Sequence, residues 1–162
     1  MQNRKLKTEL RLINMENVAV EQVEWLLYPF IPYGKVTIIQ GDPGEGKTTM
    51  VLQIIAKLTK GEPVLPITEE EEITTEQTRE PVNVIYQTAE DGLGDTIKPR
   101  LLAAGADCSK VLVIDDSELP LTMLDERLEQ AIRQTNARLV VLDPIQSFLG
   151  AEVDMHRANE IR

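Results

Sequence analysis

Four short aliphatic runs recur along the chain, and stretches with helical apolar spacing separate them. The runs are Val36–Ile39, Val82–Tyr86, Val111–Ile114 and Leu139–Leu142. They are rich in β-branched residues and have the length of strands buried on both faces. Each is followed by polar, acidic or turn-forming residues. This alternation of strands and helices predicts a parallel sheet covered by helices.

Three apolar stripes between these runs have the spacing of amphipathic helices. The stripes are Val51, Ile54, Ile55 and Leu58; then Ile97, Leu101 and Ala104; then Leu124, Leu128, Ala131 and Ile132. Gly61 and Gly105 stand where the first two helices should end, and Thr122 to Asp125 resembles a capping box that starts the third. The predicted topology is β-α-β-α-β-α-β, which is a three-layer α/β/α sandwich with a mainly parallel sheet.

Two segments fall outside this alternation. Residues 62–80 carry Glu69–Glu72 and further glutamates, and a block of like charge buries too little apolar surface to order itself. We expect a mobile acidic insertion there. Residues 1–34 are expected to form an N-terminal arm that packs on a core made by residues 35–162. The aromatic residues of the arm could instead stack on a base, although packing is their more frequent role.

A glycine-rich sequence joins the first predicted strand to the first predicted helix, and it matches the P-loop pattern GxxxxGK[ST]. The matching residues are Gly41, Asp42, Pro43, Gly44, Glu45, Gly46, Lys47 and Thr48. Glycines let backbone amides approach phosphates, and the helix that follows presents unpaired N–H groups to them. We expect Lys47 to reach the β- and γ-phosphates, Thr48 to bind Mg²⁺ and Thr49 to contact the α-phosphate. The predicted ligands are ATP and Mg²⁺.

Two carboxylates are expected at the same edge of the sheet as this loop. Asp143 ends the fourth aliphatic run, which is the Walker B position, and is expected to orient Mg²⁺; a plain turn before Pro144 is the other interpretation. Glu90 follows the second run and is predicted to polarise the attacking water, so Glu90 and Lys47 are the candidate catalytic residues. Asp91 is predicted to cap the next helix, although the two carboxylates could exchange roles.

These motifs together resemble the RecA-like P-loop ATPases, and within them the branch related to the RepA-type replicative helicases of plasmids and mobile elements. The resemblance covers residues 20–162, and its further elements are Ala89–Asp91, Lys98–Asp107 and Val140–Gln146. It implies ATP hydrolysis with the roles given above for Lys47, Thr48, Glu90 and Asp143. It also implies a helicase or motor that acts on DNA in replication or repair as a homo-oligomeric ring.

The resemblance also implies parts that this chain does not carry. RecA-like cores continue through further strands with a γ-phosphate sensor, and a neighbouring subunit donates an arginine finger. None of these can be assigned before Arg162. We therefore expect a core that is truncated at its C-terminus, binds ATP and hydrolyses it very slowly even with DNA present.

Composition narrows the partners and the compartment. The 162 residues suit one domain, and a formal net charge of −10 opposes a broad surface for nucleic acid, so any DNA contact must be local. Cys108 and His156 are the only cysteine and histidine, which excludes an internal disulfide and a structural zinc site. No apolar run is long enough to span a membrane. We therefore predict a cytoplasmic protein without membrane contact.

Other P-loop classes fit less well. An ATP-dependent switch or assembly protein without nucleic-acid motor activity is the main alternative, and DNA-stimulated hydrolysis by the full-length protein would separate it from a motor. Partitioning ATPases of the deviant P-loop type need lysine where Asp42 stands. GTPases usually carry an Asn-Lys-x-Asp segment, which the sequence lacks, and no basic lid of the kind used by small-molecule kinases is evident.

Overall fold

The computed structural model describes residues 10–65 and 80–150. Its helices are α1 (Lys47–Lys60), α2 (Lys98–Ala103) and α3 (Glu126–Thr135). Its strands are β1 (Trp25–Leu27), β2 (Ile31–Pro32), β3 (Asn83–Thr88), β4 (Val111–Leu112) and β5 (Ala137–Asp143). A turn of π-helix, Leu93–Ile97, leads directly into α2, and short 3-10 turns occupy Met15–Asn17, Cys108–Lys110 and Ile145–Phe148.

The main sheet has three parallel strands in the order β4-β3-β5. β3 is central, and its pairing with β5 continues to the last residue of both strands, where Thr88 lies opposite Asp143. β1 and β2 form a separate antiparallel pair. The predicted α/β architecture with a parallel sheet is therefore confirmed for the second, third and fourth aliphatic runs.

The hydrophobic core lies between β3 and the pair of helices α1 and α2. Its buried members are Leu52, Ile55 and Leu58 from α1, Ile97 and Leu101 from the second helical segment, Val82, Val84 and Tyr86 from or beside β3, and Leu26 from β1. Residues two apart on a strand share a face, so Val84 and Tyr86 both point toward these helices. This packing places the first turn of α1 near the carboxyl end of the sheet.

The other face of β3 is linked to α3. Ile85 is buried on that face, and Asn83, which shares it, donates a 2.7 Å hydrogen bond from its side chain to the carbonyl of Thr135 at the end of α3. α3 itself has no fully buried residue. α3 therefore contributes less to the core than we predicted from its apolar stripe.

The strand predicted at Val111–Ile114 is shorter than expected. Only Val111 and Leu112 pair with β3 through their backbones. Beyond them the buried side chain of Gln87 accepts from the backbone N–H of Ile114 at 2.6 Å and donates to its carbonyl at 3.2 Å. A side-chain amide thus replaces the main-chain pairing at the end of this ladder.

The strand predicted at Val36–Ile39 does not form, which corrects the expectation that a strand enters the P-loop. Val36 is 73% exposed and Ile38 is 69% exposed, and no strand in the described residues pairs with this segment. β-branched residues favour a strand only where a neighbouring strand and a packed surface receive them. Strand propensity alone is therefore not enough to form a strand at Val36–Ile39, where the neighbouring strand and the packed surface are both lacking in the described residues.

The start of α3 also differs from the prediction. The N-cap is Asp125, which accepts from the backbone N–H of Arg127 at 2.9 Å, rather than Thr122. Leu124 therefore precedes the helix and is 89% exposed instead of belonging to its buried stripe. The ion pair between Asp125 and Arg127 strengthens this cap, and the hydrogen bonds from Arg127 hold the pKa of the Asp125 carboxyl below its usual value.

Other predictions fall partly outside the described residues. The structure describes only the ends of the acidic stretch 62–80, and nothing in it tests the division into an arm, residues 1–34, and a core, residues 35–162. Within the described part of the arm, Leu26 and Leu27 are buried and residues 10–24 are exposed. No helix in the described ranges is both long and apolar enough to cross a membrane.

Truncation of a core leucine should test this packing directly. Leu101 is 4% exposed in the cluster between α2 and β3, so Leu101→Ala should lower the free energy of unfolding by about 2–5 kcal/mol. Leu102 is the adjacent residue of the same helix and is 59% exposed, so Leu102→Ala should change it by about 0.5 kcal/mol or less. Urea unfolding followed by circular dichroism measures both, and equal losses would contradict the described core.

Candidate functional site

The P-loop turns into α1 through two glycines in the left-handed region. Gly44 and Gly46 both have φ of 84°, a backbone conformation that residues with a Cβ rarely adopt. Gly46 is the N-cap of α1, and its carbonyl accepts from the N–H of Met50 at 2.9 Å. The loop therefore leads without a spacer into a helix whose first N–H groups are free to meet an anion.

Two hydrogen bonds between Asp42 and Glu45 close the base of the loop. The backbone N–H of Asp42 donates to Oε2 of Glu45 at 2.8 Å, and the N–H of Glu45 donates to the carbonyl of Asp42 at 3.3 Å. Any side chain at Gly41 would overlap the Glu45 carboxylate. A side chain at Gly41 would therefore displace the end of the Glu45 side chain from its hydrogen bond with Asp42.

The ammonium group of Lys47 lies over the same loop. It donates to the carbonyl of Gly41 at 2.8 Å and to the carbonyl of Asp42 at 2.6 Å. Both acceptors are neutral, so an anionic phosphate oxygen that takes their place would add the attraction between opposite charges to the hydrogen bond. Lys47 is thereby placed within the P-loop.

The structure brings the two predicted magnesium ligands together. The hydroxyl of Thr48, in the first turn of α1, donates to Oδ2 of Asp143, at the end of β5, over 3.0 Å. The sequence separates these residues by 95 positions. A hydroxyl and a carboxylate are hard oxygen ligands, which suits Mg²⁺, a cation that takes few protein ligands and keeps water or phosphate oxygens in its shell. This pair fits the predicted metal.

Tyr86 is a site residue that the sequence analysis did not identify. Its side chain is fully buried in β3, and its hydroxyl donates to the same Oδ2 of Asp143 at 2.9 Å. Burial, followed by the charge of Asp143 and this hydrogen bond, raises the pKa of the Tyr86 phenol, so the group remains a proton donor. The available signal was one aromatic residue with a polar tip in an otherwise aliphatic run.

Glu90 lies just beyond the end of β3, next to a residue whose backbone contacts Asp143. The N–H of Ala89 donates to the backbone carbonyl of Asp143 at 3.3 Å, which holds the start of the turn against the end of β5. Glu90 follows this contact and is exposed. Glu90 therefore lies at the edge of the sheet where β5 ends.

Asp91 is held differently from its neighbour. Its N–H donates to the hydroxyl of Thr88 at 3.1 Å, and its carboxylate lies 3.7 Å from the guanidinium of Arg100. The predicted helix cap by Asp91 is not formed, because Gly92 precedes the π-helical turn and makes no side-chain capping bond. The Arg100 pair occupies Asp91 and leaves Glu90 as the more available carboxylate.

The remaining acidic and polar candidates at this edge have local roles or are exposed. Asp115 accepts from the N–H of Ser117 at 3.1 Å, and hydrogen bonds from Ser117 hold the pKa of the Asp115 carboxyl below its usual value. A carboxylate that accepts from the N–H two residues further on is a common turn arrangement. Thr49 is exposed in the first turn of α1.

The geometry therefore combines a cationic side chain, a helix N-terminus and a hydroxyl–carboxylate pair on one edge of a parallel sheet. The match of the chain to a protein-family model agrees with this arrangement. No curated protein and no solved structure matches the chain. A family model described as an AAA domain matches residues 2–162. The chain therefore belongs to the AAA domain family of P-loop ATPases.

Proposed function

We propose that this protein binds Mg-ATP at the P-loop and hydrolyses it. The observation that carries the proposal is the hydrogen bond between Thr48 and Asp143, which joins the helix after the P-loop to the Walker B strand. A glycine turn that only closed a strand–helix corner would need neither this pair nor a lysine at the start of the helix. Membership of an ATPase family supports the same activity.

The triphosphate would lie along residues 41–48, against the N-terminus of α1. Backbone amides of the glycine turns and the free N–H groups of the helix donate to its oxygens. Lys47 would exchange its two carbonyl acceptors for β- and γ-phosphate oxygens, and Thr49 would contact the α-phosphate. These contacts position the chain of phosphates for in-line attack.

Thr48 and Asp143 would hold Mg²⁺, Thr48 through an oxygen lone pair while its O–H continues to donate to Asp143. The bound metal supplies neutralisation of the charge that develops on the transferring phosphoryl group. Glu90 would accept a hydrogen bond from the attacking water and receive its proton. Its exposure and its place beyond the Thr88–Asp143 pair support this role.

The finer part of the proposal is a helicase or motor that acts on DNA in replication or repair. It is supported by the resemblance to the RepA-type branch, which also favours a homo-oligomeric ring and a complete three-layer sandwich. The net charge of −10 confines DNA contact to a local surface. A location in the reducing cytoplasm belongs to the same proposal and is supported by the single cysteine, Cys108.

Removal of the P-loop lysine should abolish most nucleotide binding. Lys47→Ala deletes at least two charge-assisted hydrogen bonds, each worth about 1.5–3 kcal/mol, so the affinity for Mg-ATP should fall by about 100-fold or more. Isothermal titration calorimetry measures the change. Lys57→Ala is the matched control, because Lys57 lies on the same helix in an exposed pair with Glu62. Unchanged affinity in Lys47→Ala would refute the proposed site.

Replacement of the water-polarising carboxylate should separate binding from chemistry. Glu90→Gln keeps the volume of the side chain but removes the base, so hydrolysis should slow by about 10²–10⁴-fold while affinity for Mg-ATP is retained. Phosphate release in single-turnover reactions measures the chemical step. Asp91→Asn is the control and should have a smaller effect, because Asp91 faces Arg100. The opposite ranking would assign the base to Asp91.

The DNA part of the proposal predicts a faster ATPase on DNA. Phosphate release by the full-length protein should increase when single-stranded DNA is added at low salt, and the increase should disappear as salt screens the contacts. Glu90→Gln reports any contaminating ATPase. A rate that DNA does not change would favour the switch or assembly function over a motor.

A further inference from the structure

The carboxylate of Asp143 receives two hydroxyl donors on one of its oxygens. Thr48 donates to Oδ2 at 3.0 Å from the side of α1, and Tyr86 donates to the same oxygen at 2.9 Å from β3. No donor among residues 10–65 and 80–150 makes a hydrogen bond to Oδ1. The two oxygens of this carboxylate therefore have different surroundings.

The contact from Tyr86 is rigidly placed. The ring is fully buried in the cluster between β3 and α1, so its hydroxyl has little freedom to turn away. β3 and β5 are paired along six residues of β3, which keeps the distance between Tyr86 and Asp143 constant. Residues that orient a metal ligand through such a hydrogen bond strongly affect metal affinity without touching the metal.

We propose that Tyr86 is a positioning residue for the magnesium site. Together with Thr48 it holds Oδ2 of Asp143, and this leaves Oδ1 to receive Mg²⁺ or a water bound to Mg²⁺. This inference rests on the proposed binding of Mg-ATP and deepens it. Thr48 is also expected to touch the metal, whereas Tyr86 acts only through Asp143.

The test compares how much Mg²⁺ improves nucleotide binding. The Kd of a fluorescent ATP analogue is measured in excess Mg²⁺ and in EDTA, and the ratio of the two values is the magnesium gain. Tyr86→Phe keeps the ring and removes the hydroxyl, so the magnesium gain should fall by about tenfold while the Kd in EDTA stays unchanged. A purely structural role would weaken both values together.

Tyr33→Phe is the matched control. The hydroxyl of Tyr33 is also buried beside the core, but it has no hydrogen-bond partner among the described residues. Its removal deletes the same atom without affecting Asp143, so the magnesium gain should equal that of the wild type. In a double-mutant cycle, Tyr86→Phe is also made in an Asp143→Asn background, where it should have no further effect on the magnesium gain.

The outcomes separate this inference from the proposed function. If the wild type binds the analogue better with Mg²⁺ and Tyr86→Phe behaves like Tyr33→Phe, the positioning role is overturned and the proposed function stands. A Tyr86→Phe chain that no longer folds also overturns it, since the hydroxyl would then serve the fold. If the wild type does not bind the analogue at all, the proposed function fails and the inference with it.

Discussion

The parallel pairing of β3 with β5 determines where the candidate site lies. Its register places Thr88 opposite Asp143, so the turn that carries Glu90 and the carboxylate of Asp143 leave the sheet at the same level. The core packs α1 against the same central strand, which brings Thr48 within hydrogen-bond distance of Asp143. A slip of one residue in this pairing would turn Tyr86 away from the carboxylate it binds.

The features that the sequence could predict depend on local chemistry. The P-loop needs glycines at particular backbone angles, and helix α1 needs an apolar stripe and a terminating Gly61, which has the expected left-handed conformation. β3 and β5 are aliphatic runs that pair with each other, and β3 is buried along most of its length, whereas β5 is mostly half-buried. These elements carry most of the candidate site, which is why the sequence alone predicts Lys47, Thr48 and Asp143 as candidate site residues.

The features that could not be predicted from the sequence depend on residues that are distant in the chain. Val36–Ile39 has strand propensity but lacks a pairing strand in the described residues. Leu124 fits a helical stripe, yet Asp125 competes successfully for the cap because Arg127 supports it. The role of Tyr86 requires knowledge of the β3–β5 register. In each case residue type allows more than one outcome, and tertiary contacts select between them.

The hydrogen bond from the N–H of Asp42 to the Glu45 carboxylate affects which form of a nucleotide the loop would accept. The bond restrains a turn that contains Gly44, which reduces the conformational entropy that binding would otherwise remove. It also places a carboxylate in the segment that would face a polyanion. Repulsion from this group and from the net charge of −10 acts more strongly on free nucleotide than on its magnesium complex, which carries less negative charge. Electrostatics at this loop would therefore favour the ionic form of the nucleotide whose charge a cation has already partly neutralised.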